Sequence, residues 1–468
     1  MGKDYKGYSM SLEEHTQAIF HRDMFVSYET VTELIHRTIE EGGDINKVSK
    51  YGETLLSLLL KYSGERTKGS CQEFQQLLDN GADVDRKMSN GDTILITAYS
   101  TPTRPDSTKT RSFAYRLFTH LKKQGRSIKE YVMQRNHKTF QTALHMAAVN
   151  ASKDAFENLM YALKKFLSES EFQEVLNQKV EVRLESGECL SLQDAEMSPQ
   201  YGDKNYTIKE YGKNALHLAM SVGNTPAALL LYKAGLGFDS TDAYGRTPLL
   251  VAVESAYTSS ICAVLKELEG NLDQDYSFIS KCDIFGRDLM YLLYTKHQAY
   301  YRQSSNNTGL LSGIKGLCKF LKVKGEYDLA KLEERYDREN LDKRTAQYED
   351  EYKSIRETYL DNIQYLLCCS CRDHNVYCGG IALTCGADPD AYMDFAGIWM
   401  SCWEVLIYRR PIESPASIRD TIDFLMRCIE VIKRKDPTRF LPKDDHPDME
   451  TIKRLASGTL LRKLKEEY

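Results

Sequence analysis

The stretch richest in groups that could do chemistry is Cys368-Cys-Ser-Cys371, followed by His374, Cys378 and Cys385. Thiolates and imidazoles suit a tetrahedral zinc shell, but zinc ligands come in paired spacings. Cys368 to Cys371 is one Cys-x-x-Cys step and nothing repeats it, so no metal is expected. Met400-Ser-Cys402-Trp403 suggests different chemistry. A cysteine at a helix N-terminus lies where the dipole favours thiolate, and a histidine would be its base. His374 and His446 are the candidates. The chain has no phosphate-cradling glycine loop, His-Glu-x-x-His helix or Gly-x-Ser-x-Gly elbow, and no cofactor is expected.

Ser401-Cys-Trp403 resembles the nucleophile segment of papain-like proteases, which implies a thiol hydrolase with Cys402 as nucleophile and His374 or His446 beside it. The chain departs from that pattern. The flanking Cys-Gly is absent, and only His446 lies downstream.

The elements that would position these residues are set by a repeat. Gly-Lys-Asn-Ala-Leu-His-Leu-Ala at 212–219 is answered by Gly-Arg-Thr-Pro-Leu-Leu-Val-Ala at 245–252, their glycines 33 residues apart. Between them Pro226 to Gly237 is an apolar helix ended by glycines, as a left-handed cap requires. Thr247 suits the N-cap and Pro248 the first helical position. Period and motif resemble the ankyrin family. That resemblance implies that His217 ties neighbouring loops together, with His145 in the same role, and that Cys402 stands where such repeats carry proline.

Weaker copies precede this pair. Ser11-Leu-Glu-Glu14 and Thr30-Val-Thr-Glu33 have capping-box spacing and predict a terminal helix pair. Gly52-Glu-Thr-Leu-Leu56 and Gly91-Asp-Thr-Ile-Leu95 begin units, and Leu77 to Asp85 closes one. The next unit begins at Thr142-Ala-Leu-His-Met-Ala147 if Phe140 stands in for the glycine. The longer spacings require insertions. Thr101 to Thr110 is polar and proline-bearing, which predicts a loop. Within 165–211, Val180 to Leu184 alternates, Glu185-Ser-Gly-Glu188 supplies a turn, and Cys189-Leu-Ser-Leu192 alternates again, which predicts a β-hairpin. The hairpin stands both as a partner-binding arm and as a flap over neighbouring helices; exposure of Val180, Val182 and Leu184 would favour the arm.

After a degraded motif at Asp283 to Met290 the repeat signal lapses. Lys315, Lys319, Lys322 and Lys324 suit a solvated helix face or a phosphate-contacting patch. Tyr348, Tyr352, Ile355, Tyr359, Ile363 and Leu366 recur at helical spacing and predict one amphipathic helix packed lengthwise on the repeats. Leu383 to Ala391 resembles the phrase that closes an ankyrin unit, Ser401 to Leu406 lies on the repeat core, and Asp420 to Ile432 supplies its second helix.

The expected fold is an all-α ankyrin-repeat solenoid with a β-hairpin insertion and an additional helical C-terminal region. Residues 1–297 hold repeats, 298–382 a charged helical insertion, and 383–468 an ankyrin-like repeat and tail. A net charge of −5 gives no global attraction to nucleic acid or an anionic membrane. No apolar run approaches the roughly 18 residues of a membrane helix. Gly2 lacks the myristoylation context because Lys6 stands where serine or threonine is needed. The twelve cysteines follow no secreted-scaffold spacing, so reduced thiols are expected.

The ankyrin resemblance implies protein recognition. The expected contact residues are Val180, Val182, Leu184, Glu185, Glu188, Leu190 and Leu192 on the hairpin, with Asp242, Tyr244 and Arg246 in a repeat loop. Long insertions and the Glu-Glu-Tyr end resemble the ankyrin-repeat effectors that intracellular bacteria such as Legionella deliver into host cells. That implies a host-protein partner, secretion into the host cytoplasm or nucleus, no membrane partner, and nucleic acid reached only through a protein. Poxviral ankyrin proteins are also similar, but Phe440-Leu-Pro442 is too short for their F-box-like end. An ordinary eukaryotic adaptor is the third reading.

Overall fold

A computed structural model describes residues 11–21, 26–62, 70–88, 91–100, 112–136, 139–181, 209–302, 308–395, 398–408 and 415–435. The feature that recurs through it is a tight turn before a helix. Gly52 N donates to Ser49 O at 2.9 Å, Gly91 N to Met88 O at 2.8 Å, Gly245 N to Asp242 O at 3.1 Å and Gly286 N to Asp283 O at 2.9 Å. Each closing glycine has a positive φ, between 70° and 81°. Phe140 closes a turn one residue longer, with Phe140 N donating to Asn136 O, and it also adopts a left-handed φ of 56°. A side chain there costs roughly 1–2 kcal/mol. Burying a phenylalanine returns roughly 1.5–3 kcal/mol, and the Phe140 ring is buried in one cluster with Val180, Tyr211 and Leu218. Packing therefore outweighs strain, and Phe140 does stand in for glycine.

The chain forms two compact units that divide after Val251. The first contains α1 (Leu12–His21), α2 (Tyr28–Glu40), α3 (Leu55–Tyr62), α4 (Ser70–Asp79), α5 (Ile94–Tyr99), α6 (Phe113–Lys123), α7 (Ile128–Val132), α8 (Ala143–Asn150), α9 (Lys153–Phe166), α10 (Glu169–Leu176), α11 (Ala215–Ser221) and α12 (Thr225–Lys233). Helices α3, α5, α8 and α11 pack successively in one row, and α4, α6, α9 and α12 in a second. Ser11 and Glu14 form the expected capping box. The second box is displaced: Ser27, in extended conformation, caps α2 with Thr30 at its third position, so the helix starts before Thr30. Outer helices end alike, with Ala82 N bonded to Leu77 O and Leu236 N to Leu231 O. These are ankyrin-type helix pairs.

Two histidines fasten neighbouring turns. His217 Nδ1 accepts from Asn214 N at the start of its own helix, and Nε2 donates 3.0 Å to Arg246 O in the next turn. His145 does the same between Thr142 N and Gln178 O. Burial pushes both rings down to about 3, so both are neutral.

Helix α13 (Pro248–Glu254) contains the division point; Thr247 Oγ1 accepts from Leu250 N at its start. The second unit continues with α14 (Thr258–Leu268), α15 (Leu289–Arg302), α16 (Thr308–Arg338), α17 (Ala346–Ile355), α18 (Asp361–Asp373), α19 (Val376–Thr384), strands β1 (Tyr392–Phe395) and β2 (Ile398–Ser401), α20 (Cys402–Tyr408) and α21 (Pro415–Lys435). Helices α15, α18 and α20 form one row, and α14, α16, α19 and α21 the other. The pair α18 and α19 thus continues the alternation through the end of the 298–382 region, with no opening motif before it. Ala387 N bonded to Ala382 O closes it as the earlier pairs close. The expected single helix from Tyr348 to Leu366 is interrupted by a π turn at Arg356–Leu360. Its stripe packs on α16, where Tyr336 and Tyr348 meet edge to face at 4.9 Å. Lys324 is not on a solvated face: it is buried, paired with Asp328, and its ammonium lies within 6 Å of the Tyr276, Tyr327 and Tyr359 rings. Strands β1 and β2 pair antiparallel, Tyr392 opposite Ser401 and Asp394 opposite Trp399.

Glycine substitutions separate turn strain from crowding. A Cβ on Gly42 would meet nothing within 4 Å, whereas one on Gly212 would lie 2.4 Å from Ala243 N. Gly42→Ala should cost about 1–2 kcal/mol and Gly212→Ala clearly more, read from urea midpoints; equal losses would contradict the close approach. Because His145 and His217 take up protons in the unfolded chain near pH 6.5 and in the native chain only near 3, stability should fall as pH drops through that window. The melting temperature should therefore decline from pH 7 to 5, and the His145→Gln/His217→Gln variant should show a shallower decline.

Candidate partner-binding surface

Among the described residues the thiol site expected at Cys402 is not assembled. Cys402 is the first residue of α20 and is fully buried. Its Sγ lies 3.3 Å from Cys368 Sγ, 3.5 Å from Gln364 Nε2 and 3.5 Å from Ala391 O. The Cys368 contact and burial push the thiol far up, opposite to what a nucleophile at pH 7 requires. Among the described residues no histidine is bonded to it. His374 instead ends α18 in left-handed conformation, at φ 54°, and His446 lies outside the described residues. Ser401 N and Oγ both donate to Glu404 at 2.8 Å, so Glu404 ties back to the residue before α20 and Cys402 fills the first helical position. Among the described residues no group of three or more His, Cys, Asp or Glu is arranged to hold a metal ion.

A different thiol, imidazole and amide do meet. Cys378 Sγ lies 3.4 Å from His297 Nδ1, and Asn375 Nδ2 lies 3.1 Å from the same nitrogen. Sequence distance hid this set. All three side chains are buried, and burial raises Cys378 to about 12 while lowering His297, so the pair is neutral. Asn375 also caps α19 through Cys378 N, as Asn224 caps α12. The set joins α15 to α19.

The expected contact residues divide sharply. Val182, Leu184, Glu185, Glu188, Leu190 and Leu192 lie outside the described residues, as do the loop at 101–110 and the tail from Arg454. Val180 is fully buried, which corrects its reading as a contact residue. Val180 N donates to Lys213 O and Gly212 N to Val180 O, both at 2.8 Å, so the two ends of the segment between them are fastened together. Asp242 and Arg246 are also buried. Asp242 Oδ1 accepts from Tyr244 N and Arg246 N, and its Oδ2 from Arg246 Nε, so their polar atoms hold the turn. Tyr244 is half-buried, with the Arg246 guanidinium over its ring.

The exposed apolar groups lie elsewhere. In the homologous turn of the second unit, Asp283 makes the same bonds to Phe285 N, Arg287 N and Arg287 Nε. That leaves Ile284 63% and Phe285 67% exposed at the tip. On the hairpin Tyr392 is 60%, Ile398 46% and Trp399 70% exposed. The register places Tyr392 and Trp399 on one face and Ile398 on the other. The sequence carried a signal for this hairpin: Tyr392-Met-Asp-Phe and Ile398-Trp-Met flank Ala396-Gly397, aromatic and β-branched residues around a small turn pair.

No family model and no curated protein matches the chain. Among solved structures it is similar to the ankyrin repeat domain of Bcl-3, a member of the IkappaB family, at 13% identity over 61% of this chain and 93% of that one, TM-score 0.35. It is similar to EF0377, an ankyrin repeat protein, at 18% identity over 55% and 99%, TM-score 0.33. A third similar chain belongs to the complex of the Bd0816 predatory endopeptidase from Bdellovibrio bacteriovorus with immunity protein Bd3460, at 16% identity over 51% and 96%, TM-score 0.32. The repeat assignment rests on this chain's own turns and caps.

Brief iodoacetamide treatment of the native protein, read by peptide mass spectrometry, should modify exposed Cys282 at least about tenfold faster than Cys402. Comparable rates would restore Cys402 as a reactive thiol.

Proposed function

We propose that this chain works as a protein-recognition scaffold whose contact groups include the Ile284-Phe285 turn tip and the Tyr392, Ile398 and Trp399 side chains of the hairpin. The single observation that carries the reading is the exposure of Trp399 on a strand whose stem is fixed to α20. Large aromatic side chains held in water by a rigid frame suit the buried anchors of an interface, where Trp and Tyr dominate binding energy. A thiol hydrolase is disfavoured by the raised, covered thiol of Cys402.

The finer reading is that the partner is a host protein and that the chain is a bacterial effector delivered into host cytoplasm or nucleus. Its support is the resemblance of the long insertions to such effectors. The burial of Val180 favours the flap over the arm for the 179–192 segment, so this reading places no contact on it.

The test is affinity capture with quantitative mass spectrometry, comparing the native chain with Ile284→Asp/Phe285→Ala and Ile398→Ser/Trp399→Ala variants of unchanged helicity. A partner held by the native chain should fall at least about tenfold with the hairpin variant, the loss typical of a hot-spot residue worth more than about 1.4 kcal/mol. Undiminished capture by both variants would overturn the proposed surface.

A further inference from the structure

At the foot of the hairpin α18 and α20 pack side by side, and each brings a sulfur to the contact. Cys368 Sγ and Cys402 Sγ lie 3.3 Å apart. Cys402 is fully buried, so of the two residues only Cys368, half-buried, has surface open to solvent. Gln364, one turn before Cys368, is oriented by the Asp388 backbone: its Oε1 accepts from Asp388 N at 2.7 Å and its Nε2 donates to Asp388 O at 2.8 Å. That orientation turns the same amide nitrogen to both sulfurs, 3.5 Å from Cys402 Sγ and 3.9 Å from Cys368 Sγ. The Asp388 carboxylate is engaged elsewhere, with Lys435 at 3.0 Å and Asp390 N at 3.1 Å.

We propose that Cys368 and Cys402 are a site of oxidative modification, at which hydrogen peroxide converts the two thiols into a disulfide tying α18 to the start of α20. The Cys368 thiolate attacks one oxygen of the peroxide; the S–O bond forms, the O–O bond breaks, and the departing hydroxide takes up the proton Cys368 released, giving water. The resulting sulfenic acid is attacked by the Cys402 sulfur as that thiol loses its proton. The S–S bond forms, the S–O bond breaks, and hydroxide leaves with the Cys402 proton as a second water. Two thiols are oxidised by two electrons and one peroxide is reduced to two waters.

The geometry decides which sulfur acts first. Peroxide arrives from solvent, so it meets Cys368, and the covered Cys402 can act only on what Cys368 becomes. A disulfide holds its sulfurs about 2.05 Å apart, so from 3.3 Å the pair closes by about 1.3 Å between helices already in contact. Hydrogen bonding agrees with this order. The bond from Cys402 holds the Cys368 thiol below its ordinary value, with Gln364 adding to it against the cost of burial, while the same contact and burial push Cys402 up. Other thiols have different neighbours: Cys378 Sγ lies against His297 Nδ1 at 3.4 Å, and exposed Cys282 against Ser280 O at 3.8 Å. Because Cys402 N donates to Ala391 O at 3.2 Å, the new bond would fasten α18 to the hairpin's foot.

The test treats the reduced full chain with equimolar hydrogen peroxide, quenches with acid at timed intervals and maps disulfides without reduction. The Cys368–Cys402 link should form at least about tenfold faster than any other, since its two sulfurs already touch. This reading needs no variant to fold. In Cys402→Ser, dimedone should trap a sulfenic acid at Cys368, and in Cys368→Ser none should be trapped at Cys402. Cys282 measures exposure alone: if reach to solvent decided the outcome, links through Cys282 would form first. Absence of the Cys368–Cys402 link, prior formation of another disulfide, or a sulfenic acid at Cys402 in Cys368→Ser would overturn the proposal.

Discussion

Every described turn of the Ser49, Asp242 and Asp283 type depends on one backbone event, the closing residue rotating into the left-handed region. Once that happens, the first residue's side chain accepts from the amides two and four positions on, which closes the turn internally, and bonds such as His217 Nε2 to Arg246 O then tie it to its neighbour. This is visible at Ser49, whose hydroxyl accepts from Tyr51 N and Glu53 N, and again at Asp242 and Asp283. In the Asp283 turn the side chains between those anchors, Ile284 and Phe285, are exposed, with the Arg287 guanidinium 4.9 Å from the Phe285 ring. Stability and the proposed contacts thereby fall on different residues of one short turn.

That separation explains which residues were legible. His145, His217, Thr247 and the helix-closing phrases have roles fixed by local geometry, and the sequence placed them correctly. Phe140 was readable as a glycine substitute only from the motif that follows it; its ring packs on residues far along the chain. Val180 misled for the same reason. Alternation marks a strand face, but whether that face meets Tyr211 or solvent is decided by residues that alternation does not contain. Asp242 and Arg246 looked available because they are charged, and charge says nothing about a partner four residues away. The Tyr392–Ser401 hairpin was obscured because Ser401 to Leu406 already fitted a helix start, which it does supply.

The second unit departs from the motif because it brings helices together differently. In the first unit Ala147, Ala148, Ala215 and Ala219 are buried along the α8 and α11 row. In the second unit the long α16 instead presents Gly313 to Leu293 and Thr258, and Gly325 to Tyr359 and Leu360. On α19, a Cβ at Gly379 would fall 1.9 Å from the Phe424 ring. Side chains lying over glycines set these spacings, aliphatic carbons at Gly313 and Gly325 and the Phe424 ring at Gly379, and tyrosine rings close around Lys324. A buried ammonium is tolerable there because Asp328 and the ring faces replace water, a solution assembled from α16 and from residues before and after it. No 33-residue period records such a solution, which is why the α18 and α19 pair is repeat-like in packing while only its closing phrase at Leu383 to Ala391 is legible in sequence.

The hairpin joins these two principles. An isolated two-stranded ribbon is marginal in water, and this one exposes Tyr392, Ile398 and Trp399 at a cost to solubility. Its stem is held from below: Cys402 N donates to Ala391 O, Trp403 N to Pro389 O, and the buried Trp403 ring reaches Asp390 through Nε1. One tryptophan anchors while the other, four residues earlier, is displayed. Fixing the stem removes ordering cost that a mobile loop would bear on association. The exposed ring therefore has its position set before any partner arrives, and the covered Cys402 belongs to the machinery that sets it.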